Sequence, residues 1–204
     1  LPFERAALTE AVSIPMHAVN RCIPAADDTA IVVGAGMIGL LTIQVLKARG
    51  VGTIVAVDVD ARKLELARRM GASRAVDATV VDLPAAVAEL TRGRGPDVAF
   101  EVVGHGDTVA SAIRSVRKGG TVVLIGNLSP TVELPLQSAV TREIAVLGSC
   151  GSNVEIPECI DWLARGVIDV DPIISVKAPL EAAPELFAPL YDGDRSLVKV
   201  IIGP

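Results

Sequence analysis

A short β-branched run, Ile31-Val32-Val33, passes straight into Gly34-Ala35-Gly36-Met37-Ile38-Gly39, and this junction limits the fold more than any other stretch. A helix-like apolar segment follows from Leu40 to about Arg49. Gly50 and Gly52 break it, and a second apolar run from Ile54 to Val57 ends on Asp58. Strand, glycine turn, helix and strand in that order describe a βαβ unit with parallel strands. The first glycine permits a tight turn out of the strand, the second a close approach of backbone to a pyrophosphate, and Gly39 a close packing of helix on sheet. Met37 and Ile38 fall at the helix start, where free N–H groups and the positive end of the helix dipole favour an anion. Asp58, at the tip of the second strand, is placed to accept both hydroxyls of an adenosine ribose. The pattern predicts a dinucleotide site; a purely architectural βαβ turn is the other reading.

The remaining chain extends this unit. Asp60 is a fitting N-cap for a helix over 60–70 that Gly71 ends. The spacing predicts strands over 74–76, 97–103, 121–125 and 144–147, with helices over 83–90 and 108–116 between them. Alternating strands and helices imply a doubly wound, parallel, six-stranded α/β sheet. Gly34, Gly104, Gly126 and Gly148 stand at strand ends, where an open α/β sheet binds ligands. Before the first strand, apolar positions recur at helical spacing and are interrupted at Pro15. After Gly148, helices are expected over 156–164 and, broken by Pro184 and Pro189, over 180–190, with a β-like run over 197–202. These last segments have no evident place inside a six-stranded nucleotide unit.

Composition narrows the function classes. A formal net charge of −5 argues against a nucleic-acid or anionic-membrane surface. No apolar run is long enough to span a bilayer. Three cysteines at irregular spacing fit buried thiols in a reducing, cytoplasmic setting better than a disulfide framework or a metal knuckle.

AALTEAVSIPMHAV at 7–20, VVGAGMIGLLTIQVLKARG at 32–50, VDVDARKLELARRMGA at 57–72, FEVVG at 100–104 and GGTVVLIG at 119–126 together resemble the medium-chain dehydrogenase/reductase superfamily, in its zinc-dependent polyol and threonine dehydrogenase branch. ARGVIDVDPIIS at 164–175 and LVKVII at 197–202 resemble later passages of the same branch, so the likeness runs nearly end to end. It implies a cofactor-binding part of a larger oxidoreductase. Residues 1–27 would connect from a catalytic domain, 28–150 form the NAD-binding domain, and 151–204 return toward the catalytic domain.

By the same resemblance Lys63 reaches the ribose, and Val103, Gly104, Ile125, Gly126, Asn127, Ser149 and Cys150 line the track from adenine to nicotinamide. His105 either lies beside the adenine end or is a surface histidine. NAD is expected over NADP, because Asp58 repels a 2′-phosphate and Val59 offers it no donor. Glu10 falls where the branch places a glutamate near the catalytic zinc, although Ala11 replaces the usual proline, and His17 corresponds to a packing histidine. The parent would oxidise a secondary alcohol or polyol, the metal stabilising the alkoxide while NAD⁺ accepts a hydride. One carboxylate cannot retain zinc, so these 204 residues are expected to keep none and to be inactive alone. A homodimer or tetramer, formed by edge pairing near Thr131–Leu134, is a further expectation. A zinc-free quinone or enoyl reductase, or a non-enzymatic NAD sensor, are the alternatives.

Overall fold

The computed structural model describes residues 1–193 and 197–203. Six strands form one wholly parallel sheet: β1 (Thr29–Val33), β2 (Thr53–Asp58), β3 (Arg74–Asp77), β4 (Val98–Glu101), β5 (Thr121–Leu124) and β6 (Ala145–Gly148). Their order is β3-β2-β1-β4-β5-β6, which reverses direction between β1 and β4. That is the switch point at which doubly wound sheets open a crevice.

Side chains alternate across this sheet with a period of two. Ala30, Val32, Ile54, Ala56, Val98 and Phe100 face one core, and Ile31, Val33, Val55, Val57 and Ala99 face the other. The first core is covered by α2 (Thr9–Cys22), α3 (Met37–Ala48), α4 (Ala61–Met70) and α8 (Ile156–Ala164), and the second by α5 (Leu83–Leu90) and α6 (Gly106–Ser115). Both faces being dry explains why the central strands β1, β2 and β4 read as nearly continuous apolar runs. A four-residue helix, α1 (Phe3–Ala6), precedes α2.

Several expectations are corrected. The N-terminal helix is not interrupted at Pro15, because α2 runs unbroken through it. Proline removes one N–H and crowds a carbonyl, but Val12, Pro15, Met16 and Val19 are buried, and their packing outweighs the lost bond. The fourth strand stops at Glu101 instead of reaching residue 103. The Glu101 carboxylate accepts the N–H groups of Val103 at 3.0 Å and Gly104 at 2.9 Å and curls the chain out of the ladder. The chain after Gly148 does belong to the nucleotide unit's core: Cys159, Leu163, Ile168, Val170 and Ile173 are buried with α2 and α3.

Two elements were not expected, α7 (Leu136–Thr141) and β7 (Ile174–Pro179). β7 pairs in parallel with β8 (Lys199–Gly203) as a separate small sheet. The helix over 180–190 begins as a 3-10 turn at Leu180–Ala182 and continues as α9 (Ala183–Tyr191), with Pro184 in the first turn, where its missing N–H costs nothing. No helix among the described residues is long and apolar enough to cross a membrane.

Asp97, buried ahead of β4, ties together the amino ends of the central strands. It accepts the Thr29 N–H at 2.9 Å, Arg117 Nε at 2.6 Å and the Arg94 guanidinium. Burial raises its carboxyl, but these donors outweigh that and hold it below the usual range. Asp97→Ala is expected to cost about 2 kcal/mol, read as a lower urea midpoint, because the Thr29 N–H loses its acceptor.

Candidate functional site

The site is assembled at the carboxyl ends of β1, β2, β4, β5 and β6. Gly34 leaves β1 at φ +103°, a region costly for any side chain, and its N–H donates to Val57 O at 2.8 Å. A Cβ on Gly39 would lie 1.8 Å from Gly34 O, so only glycine lets α3 start against the turn. A Cβ on Gly36 would meet nothing within 4 Å; this face of the turn is open. Gly36 caps α3 with no side-chain hydrogen bond, leaving the first-turn N–H groups without partners inside the helix.

Asp58 ends β2 with its carboxylate turned back on the glycine turn. Oδ2 accepts Ala35 N–H at 2.6 Å, and Oδ1 accepts the Val59 and Asp60 N–H groups at 2.8 and 2.9 Å. A carboxylate has about four acceptor sites, so roughly one remains, on Oδ2. The sequence expectation of both ribose hydroxyls at Asp58 therefore requires one N–H to be released. Asp60 caps α4 and pairs with Arg62 at 3.0 Å; the Arg62 side chain and N–H hold its carboxyl down at about 2.

A cleft of about 1020 Å³ runs from Asp58 across the strand ends. Gly34, Gly36 and Ile38 line its middle, and Asp58, Val59 and Lys63 one end. Val103, Ile125, Gly126 and Asn127 continue the wall, and Ser149 and Cys150 lie toward the other end. Five residues singled out from sequence lie off it. Met37 and Gly39 pack within the α3 start, and Gly104 faces Gly126, where a Cβ on either would sit 2.2 Å from backbone of the other loop. His105 is exposed at the start of α6, its N–H donating to Thr108 Oγ1 at 3.3 Å. Glu10 is exposed on α2.

Sequence reasoning missed the α2 contribution to the cleft, Ile14, His17 and Arg21, along with Val102, Leu124, Leu128 and Gly151; Gly148, expected at a ligand-lined strand end, is in the wall. The i, i+3, i+7 spacing of the first three was the available signal. His17, expected as packing, is part of the wall and pairs through Nδ1 with Glu155 Oε1 at 2.9 Å.

Glu155 is 5% exposed. Burial raises its carboxyl, but the Asn153 N–H and His17 outweigh that and hold it down at about 2. Because the folded value lies below the ordinary 4.5, its stabilisation is complete above that pH and is lost as pH falls toward 2. The urea stability advantage of the parent chain over Glu155→Gln, up to about 3 kcal/mol near neutrality, should shrink through this acid window.

The cysteines divide. Burial pushes Cys22 up to about 12 and Cys159 up to about 11, leaving inert thiols, whereas Cys150 is exposed on the cleft wall, contrary to the expectation that all are buried.

The cleft suits a dinucleotide. Its glycine turn is open, the α3 N–H groups face no acceptor within the helix, and Ser149 Oγ is a buried hydroxyl with no partner among the described residues. A zinc ion does not fit: among the described residues no three His, Cys, Asp or Glu side chains are grouped to hold a metal.

Comparison with known proteins agrees with this geometry. The family model for zinc-binding dehydrogenases matches residues 38–165. Sorbitol dehydrogenase of Bacillus subtilis (strain 168) is 31% identical over 206 aligned positions, which cover 100% of this chain and 58% of that protein. The crystal structure of 2R,3R-butanediol dehydrogenase from Bacillus subtilis superposes with a TM-score of 0.92 at 32% identity, covering 100% of this chain and 58% of that one. A Sinorhizobium meliloti 1021 protein described as a zinc-binding dehydrogenase, solved with NADP bound, gives a TM-score of 0.90 at 31% identity, with coverages of 100% and 61%. The chain thus spans rather more than half the length of these relatives.

Proposed function

This chain belongs to the zinc-binding dehydrogenase family, and on that premise we propose that its cleft holds NAD for hydride exchange with a secondary alcohol or polyol. The observation that carries the reading is the Asp58 carboxylate beside the open glycine turn, at one end of a cleft crossing the strand ends. The α3 N–H groups would take the pyrophosphate, and the remaining Oδ2 site of Asp58 a ribose hydroxyl, with Lys63 at the same end. The walls from Val103 to Cys150 would hold and dry the nicotinamide half. When bound, NAD⁺ supplies the hydride acceptor.

The Sinorhizobium meliloti relative holds NADP, so the cofactor choice rests on local residues. The Asp58 carboxylate stands at the ribose end of the cleft, where it would repel a 2′-phosphate, and Val59 beside it brings no side-chain donor; this favours NAD.

The alcohol, the zinc and the cytoplasmic setting are proposals for the whole protein. Exposed Glu10 is offered as a contributor to a zinc site whose other donors are not among the described residues. Residues 1–27 and 151–204, besides packing on the nucleotide unit, are offered as its contact with a catalytic domain. The 204 residues should bind NADH yet form none from NAD⁺ and sorbitol or 2,3-butanediol. Sustained NADH formation by the purified chain would contradict this.

A homodimer is part of the proposal. Among the described residues β6 is an unpaired sheet edge carrying exposed Val146, with Leu134, Leu136 and Val140 exposed on the segment before it. Edge pairing of two copies would cover it. Sedimentation should show a dimer for the parent and a monomer for Val146→Lys; a monomeric parent contradicts it.

A further inference from the structure

We propose that Glu155 and His17 form a clamp that positions the loop from Gly148 to Asn153 for the nicotinamide end of the cofactor, an inference that rests on the dinucleotide reading above. Glu155 is a buried carboxylate hydrogen-bonded to the His17 imidazole. Its Oε2 accepts the Asn153 N–H at 2.6 Å, and its Oε1 meets His17 Nδ1 at 2.9 Å and Asn20 Nδ2 at 3.5 Å. One carboxylate therefore ties the loop after β6 to α2. Burying such a charge is costly unless every bond to it is kept. The packing of α8 does not require it, since Cys159 and Leu163 already anchor that helix in the core.

The clamp stands at the end of the cleft away from Asp58. Four strand spacings, about 19 Å, separate β2 from β6. With the adenosine ribose at Asp58 and the pyrophosphate at α3, the second base must lie toward Ser149, Cys150 and Gly151. Ser149 Oγ, buried on this side of the cleft, has no hydrogen-bond partner among the described residues. His17 is a positioning residue here: its Nδ1–H holds the carboxylate that holds the loop.

The test is calorimetric titration of the full chain and its Glu155→Gln, His17→Ala and His17→Asn variants with NADH and with ADP-ribose, which lacks the nicotinamide. Glutamine keeps the shape of Glu155 but cannot offer an oxygen to both the Asn153 N–H and the α2 donors, so it should weaken NADH about tenfold, and His17→Ala likewise. ADP-ribose affinity should stay within about twofold of the parent in both, because the adenosine and pyrophosphate contacts lie elsewhere. Asparagine places an amide N–H near the imidazole Nδ1–H, so His17→Asn should recover most of the NADH affinity. Unchanged NADH binding in Glu155→Gln and His17→Ala overturns the clamp. So does an equal loss of both ligands, or a His17→Asn variant as weak as His17→Ala. A folded parent that binds neither ligand overturns the dinucleotide reading and the clamp with it.

Discussion

Gly39→Ala should destabilise the chain by about 3 kcal/mol or more and remove nucleotide binding together with stability. The added Cβ would stand 1.8 Å from Gly34 O and 3.2 Å from Val102 Cγ2. The first contact is with backbone, so no rotamer change relieves it. Either α3 withdraws from the turn or Gly34, already at φ +103° and 2.8 Å from Val57 O, is pushed out of its bond with β2. Both moves separate the helix N-terminus from the place where an anion would sit. Gly36→Ala is the control: its Cβ meets nothing and its φ of −72° suits alanine. It should fold like the parent and lose only ligand affinity, because the methyl enters the cleft. Urea midpoints separate the two variants; a Gly39→Ala chain as stable as the parent would show that the turn tolerates a wider spacing.

Asp58→Asn should weaken NADH by about tenfold or more while changing NADPH much less, so that the preference between them collapses. The amide can keep one oxygen on the Val59 and Asp60 N–H groups, but its NH₂ then faces Ala35 N–H, donor against donor. The glycine turn loses its latch and the ribose its acceptor. For NADPH, removing the Asp58 charge relieves the repulsion of the 2′-phosphate and offsets the loss. Paired calorimetric titrations read the ratio directly. A variant that still prefers NADH as strongly as the parent would move the selectivity to Asp60 and Val59.

What the sequence disclosed followed from interactions that act locally. Glycines at 34, 36 and 39, the apolar run of β1 and the acid at 58 fall within one βαβ unit, and the structure places Gly34, Gly36 and Asp58 together on the cleft. Asp60 and Gly71 mark the ends of α4 as their capping chemistry requires. Longer-range features stayed hidden. His17 read as a packing histidine, because the residue that gives it its meaning, Glu155, lies 138 positions away. β7 was missed because its partner β8 is separated from it by α9. Gly104 and Gly126 were both read as approach points for a ligand; Gly126 does line the cleft, but each also makes room for the other's loop, and Gly104 serves only that packing. His105 illustrates the same limit: proximity in sequence to FEVVG did not bring it to the cleft, because the helix that starts there turns it outward.

The most direct test of the central claim is calorimetric titration of the purified chain with NADH and, separately, NADPH. Saturable NADH binding with at least about tenfold weaker NADPH binding is the expected result, as a 2′-phosphate repelled by Asp58 requires. Equal affinity for the two, or tighter NADPH binding, would contradict the assignment of the Asp58 end of the cleft to an NAD ribose.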